Sequence, residues 1–135
     1  MTNVGIVVSY RPGDPELLGI CLNAIERHTK IDHEVIIAVD GKPDEFDAWQ
    51  NGRANIQYCF YEAAEGAWGS ARHADMLNVV TMRVLLQNAH RRLMTLDSDC
   101  FPVADGWLGD LIDMRADVSG ILHPWEPPPA RMSIR

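Results

Sequence analysis

Arg92-Leu93-Met94-Thr95-Leu96-Asp97-Ser98-Asp99-Cys100-Phe101-Pro102 reads as a short buried strand that runs straight into two carboxylates one residue apart. Leu93, Met94 and Leu96 supply its apolar body and Thr95 favours an extended backbone, while Phe101-Pro102 stops any simple continuation. In an open α/β sheet, ligands bind just outside the carboxyl ends of the strands, which is where Asp97 and Asp99 fall. Alternate side chains of a strand share a face, so both carboxylates look into one crevice provided the strand persists that far. Like charges so close repel unless a cation sits between them, and a hard divalent ion, Mn²⁺ or Mg²⁺, suits such oxygen ligands. Asp-Ser-Asp is also a natural solvated turn, because all three residues favour turns.

Upstream, Val4-Gly5-Ile6-Val7-Val8-Ser9-Tyr10 is a nearly continuous apolar run, as expected of a parallel strand buried on both faces. Arg11-Pro12-Gly13 turns the chain. Asp14 is placed to cap a helix with Pro15 at its first position and Glu16 in its first turn. Leu17, Leu18, Cys21, Ala24, Ile25 and His28 recur at helical spacing and carry that helix to about His28. Residues 34–39 form a second buried strand ending at Asp40-Gly41, which completes a βαβ unit with right-handed crossover as the default. A short helix over 43–50 would pack through Phe46 and Trp49, and residues 56–61 read as a strand nearer a sheet edge. Gly69-Ser70 opens the longest helical pattern, to about Ala89, with Leu77, Val80, Val84 and Leu85 along one side. After the strand at 92–97, Asp105 would cap a helix through about Met114, and residues 118–122 would add a fifth strand. From His123 the chain is a proline-rich tail to residue 135. The expectation is an α/β fold of three layers, a mostly parallel sheet between helices, in one domain spanning 1–122.

Composition narrows the function classes. A hydrophobic content of 47% and a charged content of 23% are those of a globular domain. A formal net charge of −7 argues against a general binder of nucleic acid or anionic membrane, whose footprint is basic. Cys21, Cys59 and Cys100 are too widely spaced for a zinc site or a disulfide framework, and Cys21 and Cys59 read as small core residues. No signal peptide or transmembrane run is legible, so a reducing cytoplasm is the expected compartment. Neither G-x-G-x-x-G nor a P-loop occurs, which speaks against dinucleotide dehydrogenases and P-loop NTPases. Polar groups instead end three strands: Ser9-Tyr10-Arg11, Asp40-Gly41 and Asp97-Ser98-Asp99, which a parallel sheet would open on one edge. Gly69-Ser70-Ala71-Arg72-His73 begins the long helix, whose amide groups and positive dipole end suit a phosphate.

With these segments in order, residues 4–122 resemble nucleotide-sugar glycosyltransferases of the GT-A fold, especially the inverting, processive-synthase-like family. Val7-Val8-Ser9-Tyr10-Arg11-Pro12 is similar to that family's first strand and loop, and Val39-Asp40-Gly41 to its second-strand aspartate. Gly69-Ser70-Ala71-Arg72-His73 resembles its Gly-x-x-Ala-Arg-Asn segment, with His73 in place of the Asn, and Asp97-Ser98-Asp99 its Asp-x-Asp motif. The resemblance implies a site for UDP or a UDP-sugar. Tyr10 and Arg11 would lie by the base, Asp40 would accept from uracil or ribose, and Arg72 would approach the diphosphate or base. Asp97 would hold the ribose or a metal-bound water, with Ser98 beside it, and Asp99 would ligate Mn²⁺ or Mg²⁺. His123 is a further candidate ligand, set against a purely structural turn, and His73 reads as a surface or packing residue. Family members continue into an acceptor half that supplies the general base. Here the matching segments stop at Leu122 and Glu126 sits in the tail, so no catalytic base is assigned and a second copy or partner chain could complete the site. A non-catalytic nucleotide-binding module would use the same residues. An aspartate-nucleophile phosphatase fits poorly, because its Asp-x-Asp belongs to the first strand of its fold.

Overall fold

β1 (Thr2–Tyr10) lies inside the sheet, hydrogen-bonded on one side to β2 (His33–Asp40) and on the other to β4 (His90–Asp97). β3 (Ile56–Tyr61) continues the sheet beyond β2, in the order β3-β2-β1-β4, and every pairing is parallel. The computed structural model describes residues 2–42, 55–87 and 90–113. The helix expected at 43–50, the strand expected at 118–122 and the tail with His123 and Glu126 lie outside the described residues. The described residues are thus α/β, a parallel four-stranded sheet flanked by helices. Among the described residues no helix is long and apolar enough to cross a membrane.

The aliphatic run of β1 explains its position. Val7 and Val8 point to opposite faces and both are fully buried, which only a strand covered on both sides achieves. On one face, Val4, Ile6, Val8 and Tyr10 pack with Val35, Ile37 and Val39 of β2 beneath α1 (Pro15–His28). That helix starts as its sequence dictates: the Asp14 carboxylate accepts from the Leu17 amide at 3.0 Å, and Pro15 occupies the first turn. Leu18, Cys21, Leu22 and Ile25 form its buried stripe. α3 (Trp107–Asp113) adds Leu108 to the same layer, and Trp107 Nε1 donates to Thr29 Oγ1 at 3.1 Å. Just before this helix, the Asp105 carboxylate lies 2.8 Å from His28 Nδ1, tying the loop to the end of α1.

On the other face, Met76, Val80 and Val84 of α2 (Gly69–Leu86) cover Val7, Ile36, Ala38 and Tyr61. Leu85 does not join them and is half exposed, because a residue next to Val84 is rotated by about 100° from that stripe. The chain travels from β1 to β2 to β3 and then returns across the sheet through α2 to reach β4. Crossovers of one hand place helices on opposite faces when the direction of travel reverses, as α1 and α2 are placed. The reversal falls between β1 and β4, and an open α/β sheet forms its ligand crevice at such a point.

Candidate functional site

Ser9 of β1 and Asp97 of β4 are register partners at this seam, at the carboxyl ends of their strands. The Ser98 amide donates to the Ser9 carbonyl at 3.0 Å, which carries the ladder one step past β4. Ser9 Oγ lies 2.5 Å from Asp97 Oδ1 and 3.4 Å from the Leu96 carbonyl. A hydroxyl has one proton, and the charged, nearer acceptor takes it. Strand alternation directs Ser9, Asp97 and Asp40 to the face that α2 covers. There the first turn of α2 meets them. Arg72 forks onto Asp40, with Nε 2.9 Å from each carboxylate oxygen and Nη2 2.6 Å from Oδ1. His73, the next residue, brings Nε2 to 3.3 Å from Asp97 Oδ1. The Asp97 side chain keeps 56% of its accessible surface and that of Asp40 only 11%, so Asp97 faces solvent and Asp40 depends on its arginine. Further along, the Tyr61 hydroxyl donates to Asp75, and the bond to that carboxylate raises the phenol above its ordinary pKa.

Strand alternation does not carry Asp99 to this face. The strand conformation ends at Asp97, and the Cys100 amide donates to the Asp97 carbonyl at 2.9 Å, closing a turn over 98–99. The alternation that would have aligned Asp97 with Asp99 is therefore interrupted. Asp99 is exposed, with Cys100 Sγ 3.6 Å from its Oδ1. It is near enough to α1 to contribute to the raised pKa of Cys21, pushed to about 11 by burial first and then by Cys100 and Asp99. Cys21 Sγ donates to the Cys100 carbonyl at 3.3 Å, which holds the turn against α1. Tyr10 is 4% exposed and lies in the α1 layer, one residue and hence one face away from Ser9, so its ring packs in the core. Arg11 is exposed just past β1, and Ser98 is half-buried in the turn.

The two long helices differ at their N-termini. α1 is closed by its own Asp14 carboxylate and carries Glu16 in its first turn, an unfavourable setting for an anion. α2 has no side-chain cap and no acidic residue in its first turn, and it presents Arg72 and His73. Among the described residues, no group of three or more His, Cys, Asp and Glu side chains could hold a metal ion by itself. The donors that do meet are Asp97 Oδ1 and His73 Nε2, a pair that could supply two ligands to a divalent ion. Two partners lay beyond sequence reasoning: His73, read as a surface or packing residue, and Asp75. The only signal for His73 was its place beside Arg72 in the first turn of a helix aimed at the strand ends. Compared with protein-family models, with curated proteins and with solved structures, the chain matches none.

Proposed function

We propose that this chain binds UDP or a UDP-sugar together with Mn²⁺ or Mg²⁺ at the crevice between β1 and β4, as the donor-binding part of a GT-A glycosyltransferase. One observation carries the reading: Ser9, Asp40 and Asp97, from three different strands, converge with the uncapped first turn of α2 where the strand order reverses. In this reading the amide groups of α2 and the Arg72 guanidinium receive the diphosphate. Asp40, oriented by Arg72, accepts from uracil or ribose, and Arg11 lies at the mouth of the base site. Asp97, oriented by Ser9, holds the ribose or the metal side of the diphosphate, and Asp99 approaches the ion from the turn. When bound, the ion supplies neutralisation of the charge that develops on the departing diphosphate. No general base is assigned among the described residues, and a second copy or a partner chain could complete the site.

Isothermal titration with UDP, with and without Mn²⁺, tests the proposal. Binding that needs the ion and weakens in Asp97→Asn is expected; no binding with Mn²⁺ present ends it. A second reading, a nucleotide-binding module without turnover, is favoured by the carboxylates on this face. Asp40, Asp75 and Asp97 each already hold a partner, which suits holding a ligand over abstracting a proton. Incubation with UDP-sugars separates the two readings. Release of UDP or transfer to a glycan or lipid marks the enzyme, and neither marks the module.

A further inference from the structure

His73 and Asp97 stand on different elements, yet a nitrogen and an oxygen of theirs are 3.3 Å apart. That spacing is what a shared ion requires. With metal–ligand bonds of about 2.0–2.2 Å, neighbouring ligands of a tetrahedral or octahedral ion lie roughly 3.0–3.5 Å apart. The surroundings are those of a ligand pair more than of a closed ion pair. The two side chains keep 42% and 56% of their surface, so an ion reaches them without rearrangement and its remaining positions open to water or phosphate. Ser9 Oγ, in a residue that is itself 6% exposed, donates to the same Asp97 oxygen and holds the carboxylate in place, as an outer-shell donor does in metal sites. Asp40, the other carboxylate of this edge, is locked by Arg72 and does not compete.

We propose that His73 Nε2 and Asp97 form a two-residue half-site for a first-row transition ion. The imidazole makes the site prefer Mn²⁺, Co²⁺ or Zn²⁺ to Mg²⁺ or Ca²⁺, which take oxygen ligands. The inference rests on the nucleotide reading only for the ligands that complete the ion, phosphate oxygens in place of water. It assigns the nitrogen ligand to the first turn of α2.

Pulsed electron paramagnetic resonance of Mn²⁺, alone and with UDP, reads the nitrogen ligand directly. The expected result is an imidazole nitrogen coupling in the wild-type protein that disappears in His73→Gln. Mn²⁺ affinity should then fall about tenfold or more, whereas Mg²⁺ affinity changes little because water replaces the ring. His73→Asn repeats the test with a shorter amide. Mn²⁺ bound without nitrogen coupling, or a coupling that survives both substitutions, overturns the assignment. If UDP does not bind with any ion, the nucleotide reading fails and the spectrum with Mn²⁺ alone still decides this one. If UDP binds and Mn²⁺ does not, this inference is overturned while nucleotide binding stands.

Discussion

Arg72→Met should destabilise the fold more than Asp40→Asn, although both break the same ion pair. Asp40 retains 11% of its side-chain surface, so without Arg72 its charge has little water to turn to. Arg72 contributes two donors, Nε and Nη2, and a hydrogen bond to a charged group contributes roughly 1.5–3 kcal/mol. The guanidinium is one-third exposed, so water already screens the pair and the loss should shrink to about 2–3 kcal/mol. Asn at position 40 keeps one acceptor, and the released arginine rehydrates through its exposed side, for a cost of about 1 kcal/mol. Urea unfolding at neutral pH measures both, with an unchanged slope as the sign that only stability moved. The Arg72→Met melting temperature should fall by roughly 6–12 °C. Arg72→Met combined with Asp40→Leu should recover most of the loss, because no charge is then left buried. Equal costs for the single variants, a reversed order, or losses under about 0.5 kcal/mol in both would show that the pair is an ordinary solvated one.

Three further outcomes follow from the raised and lowered pKa values. Cys21 should be the slowest of the three thiols toward iodoacetamide in the native state and should need strongly alkaline solution or denaturant to react, since burial pushes it up to about 11; fast alkylation of Cys21 at neutral pH would contradict this. Ultraviolet titration should show Tyr61 ionising above the ordinary range, and Asp75→Asn should bring that component down toward it, because the carboxylate bonded to Tyr61 is the first cause of the rise. His28 lowers the pKa of Asp105 below its usual 3.8, so the folded state binds that proton less readily than the unfolded chain. This stabilisation is complete above the unfolded value and is lost as pH falls through the folded one. The acid limb of a stability profile should therefore be shallower in Asp105→Asn, and superimposable limbs would rule the contribution out.

The strands were legible because burial on both faces leaves a mark in sequence: the aliphatic run of β1 and that of β2 admit no helical periodicity. Asp14-Pro15 placed the start of α1 to the residue, since a cap is local chemistry. The opening of three polar strand ends on one edge also followed, given a parallel sheet. Which of those groups share a face depended on a single hydrogen bond. The turn from Cys100 to Asp97 breaks the alternation that would have set Asp99 beside Asp97, and Asp-Ser-Asp supports turn and strand end alike. Tyr10 turned on parity as well: the resemblance implied a place by the base, and alternation along β1 puts its ring in the α1 core. The contact of His73 with Asp97 joins residues from separate elements across the strand-order reversal, and no local pattern encodes such a meeting.

The reversal of strand order also has a history during synthesis. β1 is made first, and α1 and β2 follow closely enough to cover one of its edges and one of its faces early. Its other edge must wait for β4, since Ser9 and Asp97 are separated by 88 positions. Until then β1 exposes a row of unsatisfied amide and carbonyl groups, the kind of edge that pairs with a neighbouring chain. Non-local parallel pairing is slow to form because a long loop must close before any contact rewards it. The seam that makes the crevice is thus the last to close on a nascent chain, and the place where an unfinished copy is most open to pairing wrongly.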